Sequence, residues 1–527
     1  ALFRNTTASE NTAVGKSALE DNTTGTSNTA VGRMALGNNT SANGNTAVGT
    51  DALFTSTTGA ENTSIGHNSM FSNTTGLNNV AVGSTALDAN TTGSYNTAVG
   101  DQSLSSNIDG EYNIAVGHKA LELNTVGRRS TAVGAFALRT QDPSSSGLMY
   151  NSALGYAALY SNTTGAQNTH IGGFSGYLMT SGSGNTALGY ESLYSNTTAS
   201  NNTAIGNAAL RVNTTGAQNV AVGYGALDAN TTASNNTAIG HGVLTSATTA
   251  TENTAVGRAS MTNTTTGGYN VALGSGSLYT NVTGANNVAL GRDALLMSTA
   301  SNNTAVGKHA LTANTTGTRN TAVGCDSLDT NTTGQGNTAL GFESLDAAST
   351  ANYNTCVGDS SMSSTTTGGQ NTAMGQASLF SNTTGIRNTA IGYDALLSSS
   401  TSSSNTALGY SSLSSNTTGT GNTAVGYQCL DASTTASYNV AVGLGALGAC
   451  TTADHNTAVG TNALGSATTA NDCTAMGRDA CIDVTTGAQL NAFGADALKT
   501  AQASTQCNAF GNLALSSFNS TGKNNAF

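Results

Sequence analysis

A chain of 527 residues with 64 Gly, one Pro, no Trp and only 8% charged residues does not have the balance of an ordinary globular domain. Its 37% hydrophobic content is too high for disorder, which combines low hydrophobicity with high net charge. The formal charge of -11, with 16 scattered Lys and Arg, excludes nucleic acid as a partner, because phosphate recognition needs clustered cations. With no signal peptide, lipidation motif or twenty-residue apolar run, no membrane span is expected in this stretch. The sequence begins in mid-repeat at Ala1 and ends on "NNAF", so a window of a longer array is expected.

From residue 11 the chain reads "NTAVGKSALEDNTTGTS", and from Asn28 the sentence begins again. With the Gly of "NTAVG" as position zero, that Gly recurs thirty times, from Gly15, Gly32 and Gly49 to Gly511. Nearly every interval is seventeen residues. One of twenty-one, Gly134 to Gly155, contains Pro143 and places an insertion loop at 139–150; another, Gly291 to Gly307, is sixteen. So short and fixed a period belongs to a solenoid, in which each turn buries its apolar face only against its neighbours.

Within a repeat, position -1 is apolar in all thirty copies and position -3 is β-branched in all but three, an alternation that predicts a strand with these two side chains facing the core. Position +4 is Leu in 25 copies and Met in three, a second core position. "NTTG" and "NTTA" segments supply the turns. The fold class is therefore all-β: a parallel β-solenoid, or β-roll, of about thirty seventeen-residue turns with two short strands per turn, continuous over 1–527. Stacked at about 4.8 Å, thirty turns make a rod roughly 140 Å long. A coil this thin buries little apolar surface, so backbone ladders and stacked Asn must carry much of its stability.

Position -2 is Ala in 27 copies and points opposite to the Val beside it. A strand that is apolar on both faces is covered on both faces. The column through Ala13, Ala30, Ala47, Ala81, Ala98, Ala221, Ala238 and Ala255 is therefore expected to be an oligomer seam, and self-association into a homotrimer or filament is the expected partnership.

The stretches "NNVAVG" at 78–83 and "NTSIGHNS" at 62–69 resemble the Asn-Ser-Val-Ala-Ile-Gly motif, with Ser three residues later, of YadA-like heads in trimeric autotransporter adhesins. Phage and viral fibre proteins carry similar repeats. The resemblance implies a left-handed roll, three chains about one axis, a location at the cell or virion surface, and binding to surfaces or matrix. Carried over, it places Val80 and Val82 in the core, Ala81 on the packed side and Gly83 at the tight turn.

Residues that could carry chemistry are few. His67, His118 and His241 share one repeat position but are separated by three turns or more, roughly 14 Å at strand spacing, too far to share a metal. Cys473 and Cys507 lie two turns apart, beyond disulfide reach, and Cys481 replaces the core Leu as a buried thiol. Asp326 and Asp329 lie over Glu343 and Asp346 one turn on, a cluster that could hold Ca²⁺; no other cofactor is expected. In "THIGGFSGYLM" at 169–179, His170 replaces the Ala and Gly176 the Leu, with Phe174 or Tyr177 expected to fill the gap. Only 139–176 is irregular enough to hold a groove. "NTT" repeats a glycosylation sequon at Asn22, Asn73, Asn90, Asn162, Asn196, Asn213, Asn230, Asn314, Asn331, Asn382 and Asn416, where the competing reading is a side-chain ladder.

These features point away from an enzyme and toward a non-catalytic extracellular structural fibre or adhesin shaft. A viral or phage tail-fibre shaft is the alternative, and an ice-binding solenoid a minor one, disfavoured because Thr23 and Thr24 are adjacent and point to opposite faces of any strand.

Overall fold

The computed structural model describes residues 1–518 and 525–526. From Thr12 to Phe510 each turn contains one three-residue strand at positions -3 to -1, which pairs in parallel with its counterpart one turn later: Thr12 opposite Thr29, Ala13 opposite Ala30, Val14 opposite Val31. The chain divides into two compact units. Ala1–Thr266 holds strands β1 (Thr12–Val14) to β15 (Thr254–Val256), and Gly267–Phe527 holds β16 (Val271–Leu273) to β31 (Asn525–Ala526). Among the described residues no helix is long and apolar enough to cross a membrane.

The Gly that ends each strand is dictated by backbone crowding. Gly15 has φ +132°, and a Cβ there would lie 2.4 Å from the carbonyl oxygen of Gly32 in the next turn. No L side chain fits such a position.

Among the described residues the second strand expected in each turn is absent, and the reason is the backbone around position +4. Ser17 and Leu19 take left-handed φ of 57° and 48°, and the same two positions repeat this in turn after turn. Reversing handedness at alternate residues sends successive N–H groups in opposite directions along the stack. Met34 N–H donates to Lys16 O at 2.8 Å in the preceding turn, and Leu36 N–H to Ala52 O at 3.1 Å in the following one. The segment is not a strand, yet its backbone is satisfied coil to coil. A β-branched residue is strained at such φ, which accounts for Leu or Met, never Val or Ile, at position +4.

The interior is built from narrow columns: Ala at -2, Ala or Ser at +3, Leu at +4, and two columns of Asn. Ala30, Ala35, Leu36, Asn28 and Asn39 are all fully buried. The strand is thus oriented opposite to expectation. Ala81 is inside, whereas Val80 and Val82 flank it on the outer face, Val80 being 36% exposed and Val82 half-buried. Leu at +4 and the small residue before it already fill the space across the coil. Only a methyl group fits opposite them at close-packed density.

The insertion at 139–150 is tied in by one side chain. Gln141 takes the place of the usual Asn: its Nε2 donates to Asn124 Oδ1 at 3.0 Å, and its Oε1 accepts from Ser130 Oγ at 3.1 Å and Asn151 Nδ2 at 2.9 Å. Because both columns are met by this one residue, the extra chain around Pro143 leaves the stacking of the regular turns on either side intact.

Candidate functional site

The outer face of the strands is the most continuous surface feature in each unit. Its column at -3, Thr in most turns and Val, Ile, Ser or Asn in the others, and its Val, Ile, Leu, Met or Phe column at -1 run side by side at strand register. Among the described residues the apolar member is never fully buried: Leu154 and Leu273 are 51% exposed and Ile239 is 39% exposed, while Val82, Val99 and Val116 are half-buried. Isolated exposed apolar residues are ordinary; here a partly exposed apolar residue recurs at the same place in turn after turn.

The predicted seam lies on the other side. Ala30, Ala47, Ala81, Ala98, Ala221, Ala238 and Ala255 are wholly inside their own coil, and Ala13, in the first turn, packs half-buried against the same core. These alanines have no surface to offer a second chain. Their constancy reflects the narrow interior of a single coil.

The sequon asparagines are corrected in the same way. Asn22, Asn73, Asn90, Asn162, Asn196, Asn213, Asn230, Asn314, Asn331, Asn382 and Asn416 are all fully buried, so a folded coil has no room for a glycan on any of them. Each turns its amide inward. Asn90 Nδ2 donates to Asn73 Oδ1 at 2.8 Å in the previous turn and to Gly93 O at 2.9 Å in its own. Where the next turn lacks Asn, the chain of amides stops and an oxygen is orphaned: Asn39 Oδ1 below Ser56, Asn162 Oδ1 below Met179, Asn230 Oδ1 below Ala247. The second column works differently: Asn28 Oδ1 accepts the backbone N–H of Asn45 at 2.9 Å, while its Nδ2 reaches Ala42 O at 2.9 Å.

Asp326, Asp329, Glu343 and Asp346 do not form a cation cage. Among the described residues no group of three or more His, Cys, Asp or Glu is arranged to hold a metal. Asp326 is already engaged, 3.0 Å from His309 Nδ1 and 3.1 Å from Cys325 Sγ. Burial raises the carboxyl of Asp329, and burial with the charges of Asp329, Glu343 and Asp326 lifts Asp346 to about 6. Burial and the neighbouring carboxylates thus favour the protonated form of Asp346 over its usual range.

The irregular patch resolves into a packing exchange. His170 is fully buried in the Ala column, and its ring occupies the space that Leu leaves at Gly176. Neither Phe174 nor Tyr177 enters that space; both lie in an outer aromatic cluster. Burial lowers His170 to about 3, and its Nδ1 shares a 3.0 Å hydrogen bond with Ser175 Oγ. Among the cysteines, burial raises Cys356 and Cys429 to about 12 and Cys450 and Cys473 to about 11, and it pushes Cys481 in the Leu column up as well. Reactive thiols are shifted the other way.

Sequence reasoning passed over the column at +3, although Ala or Ser occupies it in 28 of thirty copies, a signal as strong as the one read at -2. Compared with known proteins, the chain matches no family model and no curated protein.

Proposed function

We propose that this chain is a non-catalytic structural fibre or adhesin shaft of a cell or virion surface, whose copies associate along the outer Thr and Val face of the strands. The observation that carries this reading is the apolar residue at -1. It points outward, yet it is apolar in all thirty copies, while the exposed position just after the Gly ranges over Lys, Asp, Tyr, His and Gly. Water imposes no such uniformity; a covering surface does. In one unit that column opens on the order of several hundred Å², and with the Thr column beside it approaches the ~800 Å² per partner of a standard interface. Raised thiols and a neutral buried histidine support a scaffold rather than a catalyst. The homotrimer and the surface location come from the resemblance to YadA-like heads and fibre proteins; a phage or viral tail-fibre shaft satisfies the same observations. Light scattering on the purified chain tests the reading: a mass that is a multiple of 52.2 kDa supports it, and a monomer at every concentration contradicts it.

One observation favours a second reading. The Thr and Val columns form a regular two-dimensional array of hydroxyl and methyl groups, the kind of surface that could order water as ice, and it involves Thr12 and its equivalents rather than Thr23 and Thr24. A covered face leaves no such array open, so association predicts no thermal hysteresis. A measured hysteresis would select the ice-binding reading.

A further inference from the structure

The only proline of the chain, Pro143, follows an aspartate, Asp142, inside the one insertion that lengthens a turn. The bond between them sits where the chain leaves the coil. Asp142 is exposed, yet it is tied to the turns on either side: its backbone N–H donates to Thr163 O at 3.0 Å, and one oxygen of its carboxylate accepts from the Thr125 N–H at 3.3 Å and from the Thr125 hydroxyl. Ser144, Ser145 and Ser146 then run exposed to solvent, and the chain rejoins the stack at Gly147, whose carbonyl accepts from the Arg128 N–H at 3.1 Å. Exposed loop tips of small polar residues are where a fold tolerates a nick.

An Asp–Pro bond is open to attack by its own side chain. Pro143 has no N–H, so its nitrogen cannot close a ring onto Cγ of Asp142, and as a tertiary amide nitrogen it takes up a proton and leaves more easily than an ordinary one. The carboxylate of Asp142 can reach the carbonyl carbon of its own residue through a five-membered ring, and holding nucleophile and target on one residue makes the attack unimolecular.

We infer that Asp142–Pro143 is a self-cleavage site, at which acid and water cut the rod while its turns stay stacked. A side-chain oxygen of Asp142 bonds to the main-chain carbonyl carbon, the C–N bond to Pro143 breaks, and the nitrogen leaves as a secondary ammonium with a proton from the acidic medium. Water then opens the cyclic anhydride, which restores the side-chain carboxyl and creates a C-terminal one; nothing is oxidised or reduced. The products, residues 1–142 and 143–527, keep contacts that do not pass through the cut. Thr131–Val133 pairs in register with Ser152–Leu154, the Thr131 N–H donates to Asn151 O at 2.8 Å, and the Leu138 N–H donates to Ala158 O at 2.9 Å. Gln141, on the first product, still accepts from Asn151 Nδ2 on the second at 2.9 Å. Covalent continuity is lost and the coil is not. The site lies away from the strand face, so it does not rest on the proposed assembly.

The test holds the full chain at a series of mildly acidic pH values and follows each sample by denaturing electrophoresis with mass spectrometry, and by circular dichroism and light scattering. Two fragments should form, one ending at Asp142 and one beginning at Pro143, together one water heavier than the chain, in samples whose circular dichroism and native mass are those of the uncut protein. In urea the cut rod should come apart at a lower denaturant concentration than the intact chain, with a midpoint that depends on protein concentration, because it is now two molecules. Asp142→Asn keeps an oxygen for Thr125 but removes the carboxylate, and Pro143→Ala restores the N–H; each should slow the cut by about tenfold or more. An uncut chain at every pH, scission that begins only once circular dichroism shows the coil lost, equally fast cutting at other bonds, Asp142→Asn cut at the wild-type rate, or fragments that part in native buffer would overturn the assignment.

Discussion

A Cβ on Gly176 would lie 2.4 Å from Cε1 of His170: the turn whose core Leu has become Gly is the turn whose Ala has become His. The two departures are a single exchange of volume across the coil. Gly176 has φ +63°, close to the values that Leu adopts at this position elsewhere, so its backbone would accept Leu once the ring is gone. Gly176→Leu alone should clash, and His170→Ala alone should leave a cavity, each costing about 2–3 kcal/mol. The double variant restores the common turn and should be nearly as stable as wild type. Urea unfolding of the four proteins should give a coupling of about 2 kcal/mol or more; additive losses would refute the exchange.

The broken amide column makes a gain testable. Asn230 Oδ1 is orphaned below Ala247, and one turn further Thr264 Oγ1 is also unpartnered. Ala247→Asn places an amide between them, with Nδ2 reaching down to Asn230 and Oδ1 available to the Thr264 hydroxyl. Satisfying two buried polar atoms should raise stability by about 1–3 kcal/mol, seen as a higher melting temperature. The same substitution at Ala467, where no Asn precedes it in the column, should not stabilise.

Asp346 gives stability a pH dependence of known sign. Its folded value of about 6 lies above the roughly 3.9 of an unfolded Asp, so between those values the folded chain holds a proton that the unfolded chain has lost. Its contribution to stability therefore falls as pH rises through that window and is flat above it. The group is partly open to water, which limits the effect to about 1 kcal/mol. Asp346→Asn should melt higher than wild type at about pH 7.5 and no higher at about pH 4, as followed by circular dichroism.

The period, the strand, the Gly turn and the core Leu were legible because each is a local constraint repeated thirty times. What the sequence left ambiguous was which side of the strand is inside. Alternation at Thr12, Ala13 and Val14 separates two faces without labelling them, and the larger residues were assigned to the core. The interior volume decides otherwise, since Leu19 and Ala18 leave room opposite only for Ala13. Reading position +3 as a small, buried column would have shown how narrow the coil is. The sequon was misleading for a related reason: Asn22 and its equivalents look like surface turn residues, but they are buried and their amides bond to one another wherever Asn follows Asn in the column. The outer aromatic cluster around Phe174 and Tyr177 was legible only as irregularity, because it depends on which of three positions in successive turns come side by side.

In the proposed assembly the strand's outer face, not its Ala column, joins one copy to another. Val222, Ile239 and Val256 occupy that face in three consecutive turns, beside the buried Ala221, Ala238 and Ala255. Replacing the outer three with Lys should leave the coil folded, since those side chains already meet water in a single chain, but should place like charges where two copies meet. Light scattering with circular dichroism on that variant is the direct test. The expected result is a folded monomer of about 52.2 kDa where wild type is larger. A variant that keeps the wild-type mass, or a wild type that is itself monomeric, would contradict the account.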